Sequence, residues 1–272
     1  MNIRRIGAAA AAVTLTLGLA ACGGSDGGGG DKLKVGIKFD QPGLGLKEGN
    51  DYTGFDVDVA KYVAGKLGTS EKDIQWVQAP SAQRETLIET GQVDMVVATY
   101  SITDARKEKV SFAGPYFIAG QDLLVRADDD GITGVGSLDG KRLCSVKGST
   151  SAQKVKEQVP GVNLQEFGTY SECVSALVSN AVDALTTDDT ILAGYASQKQ
   201  YEGKLKVVGQ TFTEEKYGIG IKKGDVARCE KINEAITAMI DDGSWEKAVQ
   251  DNLGKANFTP GKGNPPKPAP CA

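Results

Sequence analysis

Segments with a two-residue apolar period alternate with segments of helical period along most of this chain, and that alternation restricts it to layered α/β architectures. Leu33-Lys34-Val35-Gly36-Ile37-Lys38 alternates as a strand does. A Gly-rich stretch with Pro42 runs from Asp40 to Asp51 and reads as a loop. Phe55, Val59, Tyr62 and Val63 then mark one helix face, which Gly65 and Gly68 end. Strands are expected over 74–77 and 95–98, with a helix over 82–90 between them, so the sheet should be largely parallel. A second series follows, with strands over 142–146, 164–167 and 182–186. Its helices fall at 151–159, along Cys173, Val174, Leu177, Val178 and Ala181, and at 191–200. A strand over 217–221 and an amphipathic face of Ile232, Ala235, Ile236, Met239 and Ile240 read as a return to the first unit. The 272 residues suffice for two units of about 100–150 residues, each with its own core.

The first thirty residues carry an address. Arg4 and Arg5 precede twelve apolar residues, 8–19, which are followed by Ala20-Ala21-Cys22. Twelve residues are too few to span a bilayer, which needs about 20. Leu19-Ala20-Ala21-Cys22 resembles a bacterial lipobox, which implies a signal peptide over 1–21 and an acylated Cys22. Residues 22–32 (CGGSDGGGGDK) hold no core-forming side chain beyond that cysteine and read as a flexible, lipid-anchored tether.

Four further cysteines remain, Cys144, Cys173, Cys229 and Cys271. In an exported chain an even set argues for disulfides, with three connectivities open. Cys144 with Cys173 is favoured because both lie in one segment, leaving Cys229 with Cys271 to pin the Pro-rich tail 259–272. No CxxC spacing occurs, so no metal cluster is expected. Histidine is absent, which excludes Ser-His-Asp and Cys-His catalysis and moves the expectation from enzyme to binding protein. Loss of Arg4 and Arg5 with the signal takes the formal charge from −4 to −6, a poor match to nucleic acid. The glycine strings 134–140 and 218–224 have GxGxxxG spacing rather than GxGxxG and read as turns.

Three polar strings stand where strands give way to helices, the usual ligand position of an open α/β sheet. Thr99-Tyr100-Ser101-Ile102-Thr103-Asp104-Ala105-Arg106 combines hydroxyls, a helix start and a guanidinium, suited to a carboxylate. Lys147-Gly148-Ser149-Thr150-Ser151 offers hydroxyls at a second helix start, and Thr186-Thr187-Asp188-Asp189 offers carboxylates for an ammonium. Each string also suits a simple N-cap; together they fit an α-amino acid.

The matching strings extend further: Gly54-Phe55-Asp56-Val57-Asp58-Val59-Ala60, Gly91-Gln92-Val93-Asp94, Ser101-Ile102-Thr103-Asp104-Ala105-Arg106, Gly114-Pro115-Tyr116, 182–188 (VDALTTD) and Tyr217-Gly218-Ile219-Gly220. With them the chain resembles the polar amino-acid-binding proteins of ABC importers (solute-binding family 3), most of all the actinobacterial glutamate-binding lipoproteins. The resemblance runs from about residue 33 to 254.

It implies a two-lobed, periplasmic-binding-protein-like type II α/β fold with the ligand cleft between the lobes. Lobe 1 would comprise 33–125 and 215–258 and lobe 2 residues 126–214, with crossings near 123–127 and 211–216. By motif, Thr99, Ser101 and Arg106 would hold the α-carboxylate and Asp188 the α-ammonium, a one-residue slip giving Asp189. Thr150 and Ser151 would close from lobe 2. Ser81 and Arg84 stand where relatives that bind acidic amino acids grip the distal carboxylate, with Lys38 and Lys147 as further cations. Arg84 has a plainer reading as a surface partner of Glu85 or Glu89. The expected ligand is glutamate, with aspartate, glutamine or asparagine as alternatives; the expected partners are ABC permease subunits and, through the lipid anchor, the outer face of the cell membrane. No cofactor is expected, nor a metal, and the chain should be a monomer. A ligand-sensing module and a cyclohexadienyl-dehydratase-like enzyme use the same scaffold.

Overall fold

The computed structural model describes residues 32–271; the expectations for the signal segment and for Cys22 lie outside them. Lys32 onward forms one compact unit containing two five-stranded sheets and a small three-stranded one. The first large sheet has the order Ile74–Gln78, Leu33–Ile37, Met95–Val96, Glu215–Lys222, Val110–Ala119. Its first three strands are parallel, and the last two run antiparallel to their neighbours, so the sheet is mixed rather than largely parallel. The second has the order Asn163–Phe167, Arg142–Val146, Ala184–Asp188, Gln121–Arg126, Leu205–Val207.

Strands buried on both faces explain the apolar runs of the sequence. Phe55 opens the helix Phe55–Lys66 and sits among Tyr116, Phe117 and Trp245, with ring centroids 6.0, 5.5 and 5.8 Å away. Trp245 spends its one N–H on the Tyr116 carbonyl at 2.8 Å. The second sheet buries Leu143, Val155 and Ala184 against Leu123 and Leu138.

Several expectations need correction. Asp40–Thr53 is not an irregular loop: Asp40–Gln41, Gly45–Glu48 and Asp51–Thr53 pair antiparallel, and Tyr52 meets the tilted rings of Phe39 and Trp76 at 5.4 and 5.5 Å. Gly218 and Gly220 lie in a strand, not in turns, because the Tyr100 ring packs where a side chain at Gly220 would stand. The strand expected over 182–186 runs instead over Ala184–Asp188, ending at the helix Asp189–Ala196. The first crossing, expected near 123–127, falls at Gly120: Leu123, Leu124 and Val125 pair inside the second sheet, where their burial is complete. The second passes between Val207 and Glu215.

Both expected disulfides are present. Cys144–Cys173 ties a strand to the helix Tyr170–Val178, and Cys229–Cys271 ties the tail to the helix Val226–Asp241. Asn264 brackets Ile118, accepting from its N–H and donating to its carbonyl, and Ala269 donates to the Gly114 carbonyl. The tail therefore covers the edge strand Val110–Ala119 instead of leaving it open to pairing. Among the described residues no helix is long and apolar enough to cross a membrane.

Candidate ligand cleft between the two sheets

Strand ends of the first sheet place a group of cations. Lys38 follows the strand Leu33–Ile37 and donates to the Ser81 hydroxyl at 2.7 Å. Arg84 opens the helix Arg84–Glu89, is 2% exposed, and donates to the Ala98 and Thr99 carbonyls at 2.9 and 3.4 Å. Its guanidinium carbon lies 4.2 Å from the Tyr100 ring centroid, and that of Arg106 lies 5.0 Å away, so one aromatic ring supports both cations. Glu85 accepts from Tyr100 and pairs with Arg106 at 3.3 Å, not with Arg84. The surface-pair reading of Arg84 therefore fails: the side chain is inside.

Among the described residues no carboxylate lies within 4.0 Å of the Lys38 or Arg84 nitrogens, and Arg84 Nε has no hydrogen-bond partner. Burial, reinforced by the Arg84 charge, pushes the Lys38 ammonium down to about 7. Burial and the Arg106 charge push Arg84 down to about 10. Two adjacent buried cations are costly unless an anion joins them.

Thr99 has a left-handed backbone, φ 45°, which a β-branched residue adopts only under constraint. Asp56 supplies that constraint, accepting from Thr99 N at 2.9 Å and from the Tyr116 hydroxyl at 2.7 Å. Burial pushes the Asp56 carboxyl up to about 6. Gln41, fully buried, accepts from the Thr99 hydroxyl.

The second sheet faces this group. The Ser149 hydroxyl caps the helix Thr150–Gln158 and sets Thr150 and Ser151 in its first turn. Thr150 meets Ser101 hydroxyl to hydroxyl at 3.3 Å, and Gly148 O accepts from Arg106 at 3.0 Å. Lys147 is not brought in: its side chain is exposed, because the Gly148 turn lays its backbone on Ala82 and offers a carbonyl inward. Asp188, 3% exposed, accepts from the Tyr217 hydroxyl at 2.6 Å and more distantly from Ser151 at 3.5 Å. No cation stands within 4.0 Å of it among the described residues. Burial and the neighbouring Glu215 charge raise its carboxyl well above the usual range. Asp189 faces elsewhere, accepting from the Gly120 and Thr190 backbone, so register separates the two aspartates.

The cleft thus has a cationic pole at Lys38, Arg84 and Arg106 and a buried carboxyl at Asp188, with the Ser101, Thr150 and Ser151 hydroxyls beside them. Residues 33–255 match the model of the bacterial extracellular solute-binding proteins, family 3. The chain belongs to that family. It is 49% identical to the glutamate-binding protein GluB of Corynebacterium glutamicum over 280 residues, 96% of this chain and 94% of that one. It is 39% identical to the ABC transporter glutamine-binding protein GlnH of Bacillus subtilis, over 80% of this chain and 79% of the relative. An ancestral arginine-binding protein bound to glutamine superposes with a TM-score of 0.76 at 36% identity, covering 82% of this chain and 98% of that one.

Asp56, Gln41, Tyr100 and Tyr217 escaped the sequence reading of this family-3 site. Asp56 shares the first turn of its helix with Asp58, the usual place for an acidic residue, so its burial between Phe55 and Val57 left no separate signal. The two tyrosines look like core aromatics, and their hydroxyl partners are distant in sequence.

Proposed function

We propose that this family-3 protein captures an amino acid outside the cytoplasm, L-glutamate before aspartate, glutamine or asparagine, and delivers it to an ABC permease. The observation that carries the reading is that Lys38 and Arg84 are both buried with no carboxylate partner among the described residues. A distal carboxylate supplies the missing anion; a neutral amide leaves both charges uncompensated. Arg106 with Thr99 and Ser101 suits the α-carboxylate, and Asp188 suits the α-ammonium. Thr150 and Ser151 close the cleft from the second sheet side. The two lobes are taken as the units built on the two large sheets.

Ligand first meets the arginines on one lobe, and closure adds the hydroxyls and Asp188 of the other. Only a ligand that touches both lobes stabilises the closed form. Excluding water strengthens each charge pair. Residues 1–21 are read as an export signal, Cys22 as the acylated anchor, and the protein as a monomer at the outer face of the cell membrane.

Calorimetric titration of ligand-stripped protein with L-glutamate and then L-glutamine tests the proposal. Tight glutamate and weak glutamine binding is expected; preference for glutamine overturns the acidic-ligand assignment, and binding of neither overturns the proposed role. Replacing Cys22 by Ala should release the protein into the medium if the anchor is as read.

A further inference from the structure

A second set of contacts joins the two halves beside the cation cluster, through donors and acceptors that belong to the protein alone. The Asp40 carboxylate comes from the first-sheet side. It accepts from the backbone N–H groups of Tyr170 and Ser171, at 3.1 and 3.3 Å, where the nine-residue helix Tyr170–Val178 begins. It also accepts from the Ser171 hydroxyl at 3.4 Å and the Tyr195 hydroxyl at 3.2 Å. The one Tyr195 hydroxyl proton is shared between that carboxylate and the nearer Asp40 main-chain carbonyl. All these donors belong to the second-sheet side.

The backbone approaches as closely as the side chains do. A Cβ placed on Gly194, in the helix Asp189–Ala196, would lie 2.1 Å from the Pro42 carbonyl oxygen. Only glycine permits that contact. The Tyr170 and Ser171 N–H groups are otherwise orphan donors at a helix start, and an anion there is favoured by the helix dipole.

We propose that residues 40–42, docked on Tyr170, Ser171, Gly194 and Tyr195, form a latch that sets affinity by stabilising the closed lobes without reading the ligand. Every bond in the set crosses between the halves, so a motion that parts the halves at this place breaks the set. Apparent affinity scales with the population of the competent form. The latch therefore multiplies the affinity for every amino acid by one factor, whereas Lys38 and Arg84 discriminate between them. It rests on the binding role proposed above.

The test uses two variants that alter no charge. Gly194→Ala blocks the approach to Pro42, and Tyr195→Phe removes one hydroxyl from an otherwise intact side chain. Calorimetry of full-length wild type and both variants with L-glutamate and L-glutamine should give weaker binding of both ligands. The loss should be about 10-fold for Gly194→Ala and smaller for Tyr195→Phe, with the glutamate-to-glutamine ratio unchanged. Wild-type affinity in both variants, or a changed ratio, overturns the latch. Should wild-type protein bind neither ligand, the proposed role falls, and amide exchange judges the latch separately. Tyr170 and Ser171 should then exchange faster in folded Gly194→Ala than in wild type; equal rates overturn it.

Discussion

Ser81 accepts the Lys38 ammonium at 2.7 Å while Arg84, one turn further along the chain, remains buried without an ion-pair partner among the described residues. The relationship turns two like charges into one receptor, because the serine fixes the lysine without neutralising it. Arg84→Met should therefore weaken L-glutamate binding by about 2–5 kcal/mol, the usual loss when one member of a buried charge pair is removed. L-Glutamine should lose less than about 1 kcal/mol, the worth of an ordinary hydrogen bond. Titration of both ligands checks the difference, and equal losses would show that Arg84 does not read the distal group.

Proton uptake offers an independent check. In the free protein Lys38 sits near 7 through burial and the Arg84 charge, so at pH 8 most of it is neutral. A bound distal carboxylate raises it again, and a proton is taken up. Asp188, raised by burial and Glu215, gives up a proton to pair with the ligand ammonium, whichever ligand binds. Glutamate should therefore take up about one more proton than glutamine at pH 8. The selectivity for glutamate should fall by up to about tenfold per pH unit above 7. Calorimetry in buffers of different ionisation enthalpy measures the difference, and Lys38→Met should erase it.

The lobes also meet where Gly148 lies on Ala82. Gly148 has φ +77°, and a Cβ there would stand 2.7 Å from Ala82 Cα. Gly148→Ala should cost about 1–3 kcal/mol through the strained backbone, seen as a lower Tm. Closure adds the clash, so both ligands should bind more weakly by a common factor. An affinity change confined to glutamate would contradict this.

The two disulfides should fail differently. Replacing Cys144 and Cys173 by Ser opens a loop of 29 residues and should destabilise the protein by about 3–4 kcal/mol. Replacing Cys229 and Cys271 frees the tail from the edge strand. Proteolysis should then trim residues 259–272 before the remaining fold is attacked. Denaturant titration and mass spectrometry of the digests distinguish the cases.

Local chemistry makes much of this protein legible in its sequence. The apolar periods of Leu33–Ile37 and of the Phe55 helix follow from burial of one face or of both, a property of neighbours in sequence. Ser149 capping the helix Thr150–Gln158 belongs to the same class. Lys38, Ser81 and Arg84 were named as positions that the resemblance implies, and the structure adds that all three are buried.

Other features depend on residues far apart in the chain, whose meeting no local pattern encodes. The Gly-rich segment after Asp40 became paired strands because aromatic rings from Phe39, Tyr52 and Trp76 converge on it. Lys147 was left outside by a close approach between Gly148 and Ala82. Asp188 was separated from Asp189 by the Tyr217 hydroxyl, 29 residues away, and the Thr99 backbone was fixed by Asp56, 43 residues away. The sequence by itself determined which groups could carry charge and which faces had to be buried, because those are properties of side chains and their spacing. Only the tertiary structure decided which charges face one another across the cleft, because that follows from how two sheets that share one apolar cluster come together.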